Sequence, residues 1–182
     1  MDIKHNQPKL GTTRLFFALW PSEATATRLA EAGQSLHEIC GGRRSRVETI
    51  HLTLAFLGEV GSDRINDLLV LAGEIRASAF DLNLRRFGWW PHNRIVWLAP
   101  GESPAKLMQL VDTLRECLLG AGFCFDTKPF VPHITLLRKA DCKKSSLPVG
   151  DVEWHVEDFV LIRSVSGVSG AAYMVVGRWP LL

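Results

Sequence analysis

At 182 residues, 47% hydrophobic and 22% charged, with a formal net charge of +2, the chain has an ordinary soluble, globular composition. That length buries roughly 70% of the surface exposed on unfolding, so neither a disulfide nor a metal is needed as a staple. No apolar run reaches 18 residues, which excludes a spanning helix, and charge this near balance does not by itself choose a partner.

The start, MDIKHNQPKLGTT, is polar and lacks an apolar signal core. RLFFALW (14–20) reads as a buried strand, and Pro21-Ser22 then opens a helix that Ser22 caps. Leu29, Leu36 and Ile39 keep helical spacing until Gly41-Gly42 ends it. TIHLTLAFL (49–57) is predicted as a strand closing at Gly58, and Ser62 is expected to cap a second helix through Ile65, Leu68, Leu69 and Ile75. FDLNLRRFGWW (80–90) and RIVWLA (94–99) flank the turn PHNR as a hairpin. Ser103-Pro104 starts a third helix that stops near Gly120 and Gly122. PFVPHITLLR (129–138) is a further strand, and WHVEDFVLIRS and AAYMVVGRW add two more around VSGVSG (165–170). The order β, α, β, α, β, β, α, β, loop, β, β implies an α+β fold of two similar halves in one domain, with helices outside antiparallel sheets.

Each half carries one copy of the same four-residue unit, HLTL at 51–54 and HITL at 133–136. Alternation along a strand puts His51 and Thr53 on one face and Leu52 and Leu54 on the other. The same holds for His133 and Thr135 against Ile134 and Leu136. Packed about an approximate two-fold axis, the polar faces meet across one cleft holding two imidazoles, two hydroxyls and no acid. An imidazole serves as acid or base near neutral pH, and a pair divides those roles on opposite sides of phosphorus. Threonine hydroxyls donate to the non-bridging oxygens where charge concentrates.

Arg43, Arg44 and Arg46 precede the first unit; Arg138, Lys139, Lys143 and Lys144 follow the second, with Asp141 the one acid among them. Cations beside both copies suit an anionic ligand. The four cysteines (Cys40, Cys117, Cys124 and Cys142) form no C-x-x-C pair and no metal-ligand spacing, so a reduced, cytoplasmic protein is expected. No H-E-x-x-H or carboxylate cluster calls for a metal; Asp126 and Asp158 stand singly. GVSG (167–170) opens no helix and is not read as a phosphate loop. His5, His37, His92 and His155 are isolated, and Phe16, Phe56, Trp90 and Trp97 are expected in the core rather than under a base.

RLFFAL, HLTLAFLGEV, RIVWL, PFVPHITLLR and the closing GRW together resemble the 2H phosphoesterases, most nearly the bacterial RNA 2′,3′-cyclic phosphodiesterases, also called 2′–5′ RNA ligases. The resemblance spans nearly the whole chain. It implies a bilobal α+β fold of two antiparallel sheets about a central cleft, no cofactor and no metal. It also implies opening of a 2′,3′-cyclic phosphate to a 2′-phosphate. His51 would then be the proton donor, His133 the proton acceptor, and Thr53 and Thr135 the holders of the phosphoryl oxygens. Arg138 matches a phosphate-holding position, although strand parity turns it away from His133 unless the strand ends or bulges near Leu137.

The implied partner is RNA with a 2′,3′-cyclic phosphate end, tRNA fragments included, met by a monomer away from membranes. Run backwards, the same site joins such an end to a 5′-hydroxyl without ATP. Two alternatives stay open: a binding module that does not turn its RNA over, and the same chemistry on small cyclic nucleotides or 2′–5′ oligoadenylates.

Overall fold

The computed structural model describes residues 11–142, 147–167 and 170–182. His5, Lys143, Lys144 and positions 168–169 of the VSGVSG segment lie outside the described residues. The fold is α+β, with nine strands and three helices among the described residues. The strands are β1 (Thr12–Leu19), β2 (Arg43–Arg44), β3 (Leu52–Gly61), β4 (Phe80–Trp90), β5 (Ile95–Pro100), β6 (Ile134–Arg138), β7 (Val149–Val156), β8 (Asp158–Gly167) and β9 (Gly170–Pro180). The helices are α1 (Glu23–Cys40), α2 (Ile65–Glu74) and α3 (Ala105–Gly120).

The expected pair of sheets is one continuous antiparallel sheet in the order β7-β4-β5-β6-β3-β1-β8-β9, with β2 clipped onto β6. The halves β3-β1-β8-β9 and β6-β5-β4-β7 meet where β3 pairs β6 through a single residue pair, Leu52 with Ile134. These are the second residues of the two repeated units, so the sheet's pseudo-two-fold passes between the motifs. Both side chains are fully buried. Truncating either to alanine would cost about 2–5 kcal/mol and loosen the joint between halves.

Alternation along β1 sorts the two faces. Leu15, Phe17 and Leu19 join Leu29 and Leu36 of α1, Leu68 of α2 and Leu107 and Leu114 of α3 in the main core. Phe16 and Ala18 point the other way, into a smaller cluster with Val160, Ile162, Trp20, Phe56 and Tyr173. The helices thus cover one face, and the opposite face stays free for a cleft.

Several expected boundaries move. The Thr25 N–H donates to Ser22 Oγ at 3.3 Å, as a cap should, but Ser62 does not cap α2. It begins a short 3₁₀ turn (Ser62–Arg64), and its hydroxyl donates to the Gly11 carbonyl at 2.5 Å. Gly58 does not close β3. Its φ of +70° suits a bulge, where the β1 register steps from Phe56 to Gly58. The strand expected at 129–138 begins only at Ile134, because prolines at 129 and 132 remove ladder donors. The stretch read as a single strand from 154 to 164 breaks at Glu157 into β7 and β8, which lie in opposite halves.

The expectation of four reduced cysteines is also corrected: Cys40 and Cys142 form a disulfide, leaving Cys117 and Cys124 free. The pairing spans 102 residues and leaves no spacing signal. The fold creates it, because the Asp141 N–H donates to the Cys40 carbonyl at 2.8 Å and docks the segment after β6 against the end of α1. No helix among the described residues is long and apolar enough to cross a membrane.

Candidate active site

His51 and His133 each stand one residue ahead of a strand, on either side of the Leu52–Ile134 rung. Antiparallel pairing at that rung brings His51 toward Thr135 and Thr53 toward His133. A regular ladder would then leave the two histidines on a diagonal, their side chains about 7–8 Å apart at the base. All four side chains, with Arg138, line one cavity of about 690 Å³. The five side chains expected at the site from the sequence therefore share one cavity.

Both rings are held alike. His51 Nδ1 lies 2.7 Å from the Thr49 carbonyl and His133 Nδ1 lies 2.8 Å from the Val131 carbonyl, each two residues upstream. A carbonyl only accepts, so Nδ1 carries the hydrogen and donates it, which leaves Nε2 as the free nitrogen on each ring.

A repeated irregularity completes the site. Along β3 the pairing with β1 passes from Thr53 to Ala55, skipping Leu54. Along β6 the pairing with β5 passes from Thr135 to Leu137, skipping Leu136. The leucine of each H-x-T-L unit is therefore an extra residue, a bulge that reverses the side-chain parity beyond it. Leu54 with Ala55, and Leu136 with Leu137, are consecutive buried residues. As a result Phe56 and Arg138, each five residues after a histidine, both reach the cavity. This meets the condition that parity set for Arg138.

The strand β2 secures the second bulge. Arg43 pairs with Arg138, the Ser45 N–H donates to the Leu136 carbonyl at 2.8 Å, and Ser45 Oγ donates to the Thr135 carbonyl at 2.8 Å. Gly42 makes this approach possible: with φ +85°, any Cβ there would come within 2.6 Å of the Arg138 carbonyl oxygen. Arg43, Arg44 and Arg46 also line the cavity, so the basic segment before the first unit serves the site.

The electrostatics favour an anion. Burial lowers the His51 pKa to about 4, opposed by the bond to Thr49 and reinforced by the charges of Arg138 and His133. Burial, with Arg138 again adding to it, also lowers that of His133. Both imidazoles are therefore neutral at pH 7, each with its lone pair on Nε2.

Other residues of the wall were not anticipated. Phe56 and Trp90, assigned to the core, line the cavity beside Asn93 and Tyr173. Phe16 is buried as expected, yet its ring lies 5.0 Å from His51. Trp97 is half-buried against Trp90 at 5.4 Å. The site is not free of acid: Asp126 lines it, its carboxyl held below the usual range by the Lys128 backbone N–H. Of the histidines set aside, His155 pairs with Asp81 at 2.6 Å, on an exposed stretch of the β4–β7 ladder. Among the described residues, no three His, Cys, Asp or Glu side chains gather as metal ligands would.

Comparison with known proteins agrees with this geometry. The model of the LigT like Phosphoesterase family matches twice, at residues 19–97 and 98–173, one match for each H-x-T-L unit. The chain is 38% identical over 142 residues to the RNA 2′,3′-cyclic phosphodiesterase of Escherichia coli, covering 77% of this chain and 80% of that one. It is 34% identical to the Thermus thermophilus RNA 2′,3′-cyclic phosphodiesterase, over 92% of this chain and 90% of that one. The crystal structure of E. coli LigT complexed with 3′-AMP superposes with a TM-score of 0.84 at 34% identity, covering 94% of this chain and 99% of that one. With both motifs facing one cavity, and the family model matched over most of its length, the chain belongs to the LigT-like 2H phosphoesterases.

Proposed function

We propose that this enzyme opens RNA 2′,3′-cyclic phosphate ends to 2′-phosphates by two-histidine acid–base catalysis, without a metal or other cofactor. The observation that carries the reading is the pair of H-x-T faces flanking one rung on one cavity. The names of the E. coli and T. thermophilus relatives support the substrate class.

In the proposed step the cyclic phosphate sits between the rings. His133 Nε2 takes a proton from water as its oxygen bonds to phosphorus. The bond from phosphorus to the 3′ oxygen breaks on the opposite side, and His51 protonates the leaving oxygen. Thr53 and Thr135 donate to the non-bridging oxygens, and Arg138 holds their charge. With a 5′-hydroxyl in place of water, the same step forms a 2′–5′ bond.

A donor whose pKa is about 4 is uncharged at pH 7 until substrate arrives. One negative charge about 4 Å away, at an effective dielectric near 20, contributes about 4 kcal/mol, or roughly 3 pKa units. That is enough to bring His51 close to neutrality. The phosphate thus creates the acid that its own cleavage needs, and offsets the Arg138 field as well.

An RNA substrate supports a monomeric enzyme at work in the cytoplasm, and the Cys40–Cys142 pairing is the state to check there. A mass measurement on alkylated protein taken from cells reads that state directly.

The activity test uses EDTA-treated protein and an oligonucleotide ending in a 2′,3′-cyclic phosphate. Product bearing only a 2′-phosphate is expected, with kcat/KM bell-shaped in pH. Saturable binding without product would establish a non-catalytic binder, and activity restored only by added metal would overturn the mechanism. A mononucleotide cyclic phosphate cleaved faster than the oligonucleotide would move the substrate to small cyclic nucleotides.

A further inference from the structure

The two halves of the site treat their histidines differently. His51 sits in an aromatic box. The indole of Trp20 is stacked on it at 5.6 Å with only 8° between planes, Tyr173 meets it edge-on at 5.4 Å, and Phe16 approaches at 5.0 Å. Tyr173 also abuts Trp20 edge-on, at 6.1 Å. Among the described residues His133 has one aromatic neighbour within contact, Trp90, edge-on at 4.7 Å.

The source of the difference is a single position in the sheet. Trp20 follows the Leu19–Leu52 pair by one residue, which sets it across from His51. In the other half, the residue that follows the Leu98–Ile134 pair is Ala99, which has no ring to offer. A tryptophan faces one histidine where the pseudo-symmetry gives the other an alanine. Trp20 does not line the cavity, so it stands behind His51 rather than under a substrate base.

We propose that Trp20 is a positioning residue that makes the two histidines inequivalent: lying flat on His51, it fixes the ring and keeps water from its rear face, so this imidazole exchanges protons only through the cleft. The inference rests on the reading of the site given above. A dry imidazole feels an arriving phosphate more strongly than a wet one, because nearby charges are less screened. The lowered pKa of His51 follows from the same burial.

The groups facing His51 are few. The Thr49 carbonyl, on the segment before β3, favours the charged ring, whereas Arg138 and His133, from the β6 segment, oppose it. Phe16 and Trp20 from the β1 segment, and Tyr173 from β9, contribute rings. Removing the indole leaves the charged groups in place and admits water, so the pKa must rise toward 6.5.

The test is Trp20→Leu and Trp20→Phe in the full chain, read by steady-state kinetics and by NMR titration of both histidines with and without inorganic phosphate. Trp20→Leu is expected to lower kcat about tenfold through misplacement of the ring while KM stays within about twofold. The His51 midpoint should rise, with that of His133 unmoved, and phosphate should then shift His51 less than it does in the parent. Trp20→Phe, which restores a flat ring, should recover most of kcat. An unchanged His51 midpoint in Trp20→Leu overturns the proposal. If that variant does not fold, the parent decides: phosphate-free midpoints that coincide for His51 and His133 overturn the proposal equally. Should the parent fail to cleave cyclic phosphate, the proposed function fails, while the His51 midpoint still decides the role of Trp20.

Discussion

The two H-x-T-L units share a backbone and differ in how they are held. Each has a histidine bonded to the carbonyl two residues back, a threonine one pleat further, and a bulged leucine that turns the fifth residue into the cleft. The first unit is then braced by rings: Phe16, Trp20 and Tyr173 surround His51. The second is braced by backbone and covalent ties. Ser45 bonds to the bulge, Arg94 donates to the Lys139 and Ala140 carbonyls at 3.3 Å, and the Cys40–Cys142 disulfide closes the segment behind Arg138. The fifth residue differs too, Phe56 in one half and Arg138 in the other. A repeated backbone thus sets two imidazoles on one cavity, and unlike surroundings make them unequal: His51 is the drier, His133 the more open to water, and Arg138 acts on both.

Four experiments break or sharpen this contrast, beginning with the largest effect. His51→Ala and His133→Ala should each lower kcat/KM by about 10²–10⁴. On the proposed mechanism the pair acts on one phosphorus, so the double variant should fall little below the worse single one. Loss of less than tenfold from either would show that the rings do not share a reaction. Thr53→Val and Thr135→Val should each cost about 10²-fold in kcat, the usual loss of one donor to a charged oxygen. Rates falling for only one threonine would mean that the phosphate sits off the pseudo-axis.

At the fifth positions the contrast is one of charge. Arg138→Met should raise KM about tenfold or more, the worth of a charge-assisted hydrogen bond, whereas Phe56→Leu should change KM less. Equal effects would indicate that both positions bind by packing alone. The smallest effect concerns stability. Both imidazoles have lowered folded-state pKa values, so the unfolded chain binds more protons than the native one below the ordinary value of 6.5. Their contribution is fully present above pH 6.5 and is lost as pH falls through the folded value, about 4 for His51. Urea midpoints measured from pH 7 to pH 4 should therefore decline, and His51→Gln should flatten that decline more than His133→Gln.

Most of the candidate site was legible because its arrangement rests on strand alternation and on repetition. His51, Thr53, His133 and Thr135 follow from two short copies and a period of two. Arg138 was legible by resemblance, and its geometry had a sign in the sequence: consecutive leucines at 136 and 137 break the alternation, as a bulge requires. The aromatic walls were harder to see. Core and cleft lie on opposite faces of the same strands, so Phe16 and Phe17 look alike in sequence yet join different clusters. Tyr173 carried one cue, being the only tyrosine in the chain. The disulfide carried none, since its two cysteines become neighbours only when the segment after β6 docks on α1.

The placement of β9 has a consequence for synthesis. Tyr173 comes late in the chain, yet it completes the wall around a histidine made more than a hundred residues earlier, and β8 must first pair with β1 to bring it there. A nascent chain that has released both H-x-T-L units therefore still lacks a finished His51 pocket. That pocket closes only once the β8–β9 hairpin has been made and has paired with β1.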